Sequence, residues 1–470
     1  MNGSFDAVII GAGQAGPSLA VRLGEAGMKV AIVERRLFGG TCVNTGCTPT
    51  KTLVASAHAA HLARRAAEFG VVLGGDVGVD MRKVKERQDA VVLAQREGLE
   101  QFVKSQPNCT IYKGHARFQS ARQIRVGDDL LSADKVFINV GGRANVPALP
   151  GVDQVETLTN SSLVELDQLP RHLVIVGGSY VGLEFAQIYR RFGAQVTVVE
   201  MSPRLIHRED PDISAALQAI LEAEGIQVRT AAECIRFEPR GRDICVGVDC
   251  EDGDPEIVGS HVLLAVGRRP NTDDLGLEAA GVEVDKRGYI VVDDALQTTT
   301  PGVWAMGDCN GKGAFTHTAF NDFEIVAGNL LDGQDRRVSD RITAYALFTD
   351  PPLGRVGLSE TEARATGKRL LVASRPMTEV GRAVEKSETL GFMKVAVDAD
   401  TKGILGAAIL GTEGDEAIHA ILDTMYAKAP YTTLQHAMHI HPTVSELIPT
   451  LLGQLEPPLA HRGASNDGLG

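Results

Sequence analysis

The stretch "VIIGAGQAGPSLAVRLGEAGMKVAIVE", residues 8–34, passes from a short apolar run through a glycine turn into apolar residues at helical spacing. It stops at Gly27, resumes as a second apolar run and ends on Glu34. The pattern predicts strand, helix, strand, with an acid closing the second strand. In such a unit Gly11 makes the strand-to-helix turn, Gly13 lets backbone approach a pyrophosphate, and Gly16 lets helix and strand pack closely. The helix start offers free amides and a partial positive charge to phosphate. Glu34 is placed to accept hydrogen bonds from ribose hydroxyls.

A lone glycine pattern of this kind is weak evidence, but the chain carries it twice. "VIVGGSYVGLEFAQIYRRFGAQVTVVE", residues 174–200, sets Gly177, Gly182, Gly193 and Glu200 on Gly11, Gly16, Gly27 and Glu34 at one constant displacement. Ser179 replaces the middle glycine and keeps that position small. Two full copies predict an α/β protein with two Rossmann-like dinucleotide-binding domains. The economical pair of dinucleotides is FAD and a nicotinamide, NADH or NADPH, because hydride passes between them.

The rest of the composition narrows the class. At 470 residues the chain exceeds one ordinary core. Its 44% hydrophobic and 23% charged residues are those of a soluble globular protein. A net charge of -13 argues against nucleic acid or an anionic membrane as the main partner. The start, "MNGSFDAVIIGAGQAG", lacks a basic region and a cleavage site, so no signal peptide is expected. No uncharged apolar run approaches the roughly 18 residues of a membrane span. A cytoplasmic location is expected, where a cysteine pair is more often catalytic, redox-active or metal-binding than structural.

Such a pair stands in "GGTCVNTGCTPTKT", residues 39–52, eight residues after Glu34. Five residues of regular helix rise about 7.5 Å, whereas a disulfide wants Cα atoms about 4.4–6.8 Å apart. The backbone between Cys42 and Cys47 must therefore deform if they bond, and Gly46 and Pro49 suit an irregular turn. A buried structural pair and a zinc half-site are the competing readings, the latter disfavoured because structural zinc prefers tighter spacing. Cys245 and Cys250 share the same separation in a strand-like segment, which puts their side chains on opposite faces. These two, with Cys109, Cys234 and Cys309, are read as having no redox role.

With these motifs in place, the chain resembles the class I pyridine nucleotide-disulfide oxidoreductases, the family of glutathione reductase, dihydrolipoamide dehydrogenase, mercuric ion reductase and hypothiocyanous acid reductase. The resemblance is carried by "GGTCVNTGCTPTK", by the linking segments "INVGGRANVPALPG" (138–151) and "AVGRRPNT" (265–272), by "TTTPGVWAMGDCN" (298–310), and by "HIHPTVSE" (439–446).

The resemblance implies roles for individual residues. Gly11, Gly13, Gly16, Glu34, Gly40, Thr41, Gly267 and Asp308 would hold FAD. Lys51 would lie near the flavin and pair with Glu184. Gly177, Ser179, Gly182 and Glu200 would hold the nicotinamide nucleotide, with Tyr180 as an aromatic gate. Cys47 would face the flavin as thiolate, and Cys42 would attack substrate. His441 would reach the cysteines of the partner subunit, so the active site implies a homodimer. Glu446, five residues on, would fix its tautomer and stabilise its charge. His436 and His439 are read as surface residues, since their spacing with His441 suits no familiar metal site.

Glu200 favours unphosphorylated ribose and therefore NADH, although Arg204 and Arg208 lie in the following segment. The acceptor is expected to be a small disulfide, an oxidant or a soft metal ion; the alternatives are a dihydrolipoamide dehydrogenase or other disulfide reductase, a hypothiocyanous acid reductase, or a flavoprotein that passes electrons to a protein partner. Overall wording is nearest the mercuric reductases, but no C-terminal vicinal cysteine pair accompanies it. The expected plan is an FAD domain over 1–145, an NAD(P) domain over 146–270, a second FAD segment over 271–340, and an α+β dimerisation domain over 341–470 with a polar tail.

Overall fold

The structure is a computed structural model that describes residues 2–249 and 254–458. Contacts divide the chain into two units, Met1–Met201 with Gly225–Arg341, and Ser202–Glu224 with Ile342–Gly470.

The first unit begins with strand β1 (Asn2–Ile10), helix α1 (Ala15–Glu25) and strand β2 (Val30–Glu34). A short helix α2 (Gly40–Thr45) follows, then two longer ones, α3 (Cys47–Arg64) and α4 (Met81–Lys104). Strands β3 (Cys109–Lys113), β4 (Ala116–Ser120), β5 (Gln123–Val126) and β6 (Asp129–Ile138) complete a sheet in the order β3-β2-β1-β6-β5-β4, to which Val303–Ala305 adds beside β6. β1 runs parallel to both β2 and β6. Covered on both faces, Ala7, Val8 and Ile9 are fully buried, which is why this strand reads as an unbroken apolar run.

The second glycine unit builds a smaller parallel sheet, Gln227–Arg229, Gln195–Val199, His172–Val176 and His261–Leu264, with the helix Tyr180–Phe192 following its central strand. Strands Glu233–Arg240, Asp243–Asp249 and Glu256–Gly259 form a three-stranded antiparallel sheet. The two linking segments pair with each other, Gly142–Ala144 against Arg268–Pro270. The chain thus leaves and re-enters the first sheet's layer through one antiparallel ladder.

In the second unit an antiparallel five-stranded sheet has the order Ala344–Leu347, Leu353–Gly357, Ile404–Leu410, Phe392–Asp398, Leu370–Pro376. Two short helices, Gly414–Ala417 and His419–Tyr426, follow the strand Ile404–Leu410. Helix Pro211–Ala223 lies in the stretch expected to bind NAD(P) and belongs to this unit. It is fastened by a buried ionic cluster in which Arg355 reaches Glu209 at 2.5 Å and Lys394 reaches Asp212 at 2.7 Å.

Candidate active site

The two glycine loops are built alike down to single hydrogen bonds. Gly11 N–H donates to Val33 O and Gly177 N–H to Val199 O, each at 2.8 Å. Gly11 and Gly177 have φ of 104° and 118°, and a Cβ on either would meet a carbonyl oxygen, of Asn139 at 2.3 Å or Ala265 at 2.4 Å. Only glycine satisfies both the angle and the space. A Cβ on Gly16 would sit 2.3 Å from Gly11 O and one on Gly182 2.0 Å from Gly177 O, which is the close packing the third glycine permits.

Glu34 and Glu200 do something the sequence did not disclose. Each carboxylate accepts from the amide just after its unit's first glycine, Ala12 N–H at 2.8 Å and Gly178 N–H at 2.6 Å. The acid at the end of the second strand therefore also braces the loop that would receive the nucleotide. Neither Gln14 nor Ser179, the residues preceding the two helices, caps its helix by side chain, so the first amides remain available to phosphate.

The redox motif follows. Helix α2 ends and α3 begins around Gly46, whose φ and ψ are -130° and -117°. A side chain there would press within 2.8 Å of Thr41 O and 3.3 Å of Cys42 Cα. Here is the deformation that bonding over this spacing requires, and it places Cys42 on one helix and Cys47 at the start of the next.

The two are free thiols whose side chains hydrogen-bond to each other. The bond from Cys42 is the main force holding the Cys47 thiol down, to about 6; Thr316 and the Lys51 charge add to it against burial. The reciprocal bond, with burial, drives the Cys42 thiol well above its usual range. The pair thus favours one thiolate, on Cys47, and one thiol, on Cys42.

Lys51, one helical turn beyond Cys47, lies 2.5 Å from Glu184 Oε2, and Glu184 is almost fully buried. Tyr180 packs its ring 5.7 Å from that of Phe315, which stacks on His317. Thr316, at the first turn of helix Thr316–Leu331, approaches Cys47 Sγ at 3.2 Å. Sequence reasoning missed Thr316, whose only signal is its place just after the segment 298–310.

A second polar group gathers Thr41, Gly142, Arg268 and Asp308. Arg268 donates to Gly142 O at 2.7 Å and lies 3.5 Å from the Asp308 carboxylate. Burial pushes Asp308 above the usual carboxylate range although Arg268 opposes it. Gly267, φ 105°, has open space where a side chain would project. Gly40 brings the start of α2 against the first glycine loop, since a Cβ there would lie 3.0 Å from Gly13 Cα. Bare backbone, uncapped amides and two carboxylates fit FAD in the first loop, and the matching loop with Glu200 fits a nicotinamide nucleotide.

In the second unit His441 Nδ1 lies 2.9 Å from Glu446 Oε2, with the imidazole largely exposed. His439 Nδ1 contacts Ser445 O at 2.7 Å. Among the described residues no group of three or more His, Cys, Asp or Glu is placed to hold a metal ion. Cys309 is buried with its thiol pushed up to about 12, and burial likewise raises Cys109 to about 11. Cys245 is buried in its strand. Cys250 and the Cys234 side chain lie outside the described residues.

Two nucleotide loops, a cysteine pair of opposed acidity and a half-buried lysine–glutamate pair define a flavin-dependent disulfide oxidoreductase. Residues 5–322 match the pyridine nucleotide-disulphide oxidoreductase family and residues 343–452 its dimerisation domain, so the chain belongs to that family. The family is FAD-dependent and uses NAD(P)H, and the protein is an enzyme of this kind.

A probable pyridine nucleotide-disulfide oxidoreductase of Escherichia coli (strain K12), RclA, is 35% identical over 94% of this chain and 97% of its own. A mercuric reductase of Streptomyces lividans is 33% identical over 94% of each chain. A dihydrolipoyl dehydrogenase of Thermus scotoductus is 34% identical over 94% of this chain and 95% of its own. A solved structure described as the HOCl-induced flavoprotein disulfide reductase RclA from Escherichia coli is similar with a TM-score of 0.87 at 34% identity, covering 96% of this chain and 99% of that one. The dimerisation domain supports a homodimer. Among the described residues no helix is long and apolar enough to cross a membrane.

Proposed function

We propose that the enzyme takes electrons from NAD(P)H and delivers them through Cys42 and Cys47 to a small thiol-reactive acceptor, in the manner of the mercuric reductases. The carrying observation is the placement of Cys42 and Cys47 on either side of the break at Gly46, with Lys51 held by Glu184 one turn beyond Cys47; the opposed acidity of the pair, Cys47 held down and Cys42 held up, agrees with it. When bound, FAD supplies the two-electron relay between nicotinamide and disulfide.

The chain's own residues manage charge and protons. Glu184 holds Lys51 so that its positive charge stays beside the cofactor-facing cysteine. Cys47 rests as thiolate, and Cys42 keeps the proton that must leave before its sulfur attacks. The partner subunit's His441 takes that proton, with Glu446 fixing the ring through Nδ1. For a disulfide acceptor, the Cys42 sulfur bonds one acceptor sulfur and the other leaves with that proton. Cys47 then attacks Cys42, re-forming the enzyme disulfide and releasing the second acceptor sulfur, which takes a proton from solvent.

NADH is the preferred donor in this reading. The Glu200 carboxylate repels a 2′-phosphate, and Arg204 is engaged with His207 O at 3.1 Å and Glu209 O at 3.4 Å.

A second reading, a disulfide or oxidant reductase, is favoured by the 2.9 Å contact between His441 and Glu446, since an imidazole oriented by a carboxylate suits handing a proton to the thiol that leaves a disulfide. Anaerobic NADH oxidation with Hg(II) in excess small thiol, set against lipoamide, separates them. Fast Hg(II) turnover with negligible lipoamide activity supports the first reading, and the reverse replaces it with the second.

A further inference from the structure

The six residues of α2 are far too few to hold a helix unaided, so the position of Cys42 relative to Cys47 is imposed by neighbours. Three side chains impose it. Asn44, between the two cysteines, donates through Nδ2 to Phe38 O and Gly40 O, each at 2.8 Å, and its Oδ1 accepts from Arg96 Nε at 2.7 Å. On the far side of Gly46, Thr48 Oγ1 donates to Gln95 Oε1 at 2.7 Å. Asn160 Nδ2 closes the end of α2 on Thr45 O at 2.8 Å.

Gln95 and Arg96 are consecutive residues of α4. One grips the helix that carries Cys47 and the other the helix that carries Cys42, so this single turn of α4 spans the break at Gly46. We propose that Gln95 and Arg96 are positioning residues for the redox pair: by clamping α3 and α2 in register they hold the two sulfurs within bonding reach and so set the equilibrium between disulfide and dithiol. The proposal rests on the reading of Cys42 and Cys47 as a redox pair.

Its chemistry is that of effective concentration. Forming the disulfide removes two electrons and two protons from the thiols and makes the Sγ–Sγ bond, and a dithiothreitol couple supplies the balancing oxidant or reductant. Sulfurs held in contact lose little freedom on bonding, whereas sulfurs on two loosened helices must first be brought together. The hydrogen bond from Cys42 that lowers the Cys47 thiol depends on the same register.

The test uses the FAD-loaded enzyme equilibrated in oxidised and reduced dithiothreitol, with Cys42–Cys47 disulfide read by thiol trapping, and a parallel pH titration of thiolate absorbance. Arg96→Leu removes the donor to Asn44, Gln95→Leu removes the acceptor for Thr48, and Arg96→Lys and Gln95→Glu keep them. Each Leu variant is expected to weaken the disulfide about fivefold, as one lost hydrogen bond implies, and to raise the Cys47 titration, with Lys and Glu restoring much of both. Yellow, folded Leu variants whose equilibrium and titration match the parent would overturn the proposal. Should either Leu variant fail to fold, Thr48→Val, which removes the donor to Gln95 from the other end of the same contact, decides it by the same two readouts: a weaker disulfide with a raised Cys47 titration supports the clamp, and parent values in both reject it. A parent enzyme whose two thiols never oxidise together would instead remove the redox-pair reading itself.

Discussion

The Lys51 ammonium lies 2.5 Å from the Glu184 carboxylate, joining the helix of the redox motif to the helix that opens the second nucleotide unit. Each member acts on Cys47 with opposite sign, the lysine lowering its thiol and the glutamate raising it. Lys51→Met is therefore expected to raise the Cys47 titration above about 6 and Glu184→Gln to push it lower. Each changes the thiolate-to-thiol ratio on the order of a few-fold. Thr316→Val should raise it more than Lys51→Met, because the Thr316 hydrogen bond is the stronger influence. Thiolate absorbance of the reduced enzyme against pH checks the order, and equal shifts of one sign in all three would remove this account.

His441 and Glu446 form a pair whose imidazole is 80% exposed in the single chain. An exposed ion pair adds only about 0–1 kcal/mol to a fold, so the pair is not explained by stability. His441→Gln should leave the melting temperature nearly unchanged and flavin reduction by NADH intact, while slowing transfer to a disulfide acceptor by about 100-fold. Rapid mixing that separates the two half-reactions decides it, and equal slowing of both halves would reject the role of proton carrier.

The legible part of this molecule was what short stretches encode by themselves. Gly11 and Gly177 are written in the chain because only glycine fits their backbone angles, and the break at Gly46 followed from a spacing that a straight helix cannot bridge. Pairings set by tertiary packing were not legible. Thr316 meets Cys47 across 269 residues and Arg96 meets Asn44 across 52, and no local pattern announces either. Glu34 and Glu200 are legible as acids that close their second strands, yet their hold on Ala12 and Gly178 depends on how each loop folds back. Lys51 with Glu184 came only from the family resemblance, since a lysine and a glutamate 133 residues apart carry no spacing signal.

Asp210 is a second unread feature and predicts an acid response. Burial pushes its carboxyl up, but bonds from Thr361 and Glu360, with the Lys394 charge, outweigh that and hold it at about 2. A carboxyl depressed on folding contributes stability that is complete above its unfolded value, near pH 4, and lost as pH falls through about 2. The contribution is about 2 kcal/mol. Urea unfolding of the parent should show this loss between pH 4 and 2. Asp210→Asn should be less stable at neutral pH and lack this component of the acid slope; an unchanged slope would assign the acid response elsewhere.

Glu200 combines two jobs that one substitution would confuse. Its carboxylate latches the Gly178 amide at 2.6 Å, and in the proposed preference for NADH its charge would oppose a 2′-phosphate. Glu200→Gln keeps an oxygen acceptor for the latch and removes the charge, whereas Glu200→Ala removes both. The glutamine variant should keep its KM for NADH within a few-fold while its kcat/KM preference for NADH over NADPH falls about tenfold, the worth of roughly 1.4 kcal/mol. The alanine variant should lose the same preference and also raise KM for both nucleotides, because the loop that offers its amides to phosphate is no longer braced. An unaltered preference in the glutamine variant would show that other residues choose the nicotinamide, and an unaltered KM in the alanine variant would show that the loop holds its shape without the latch.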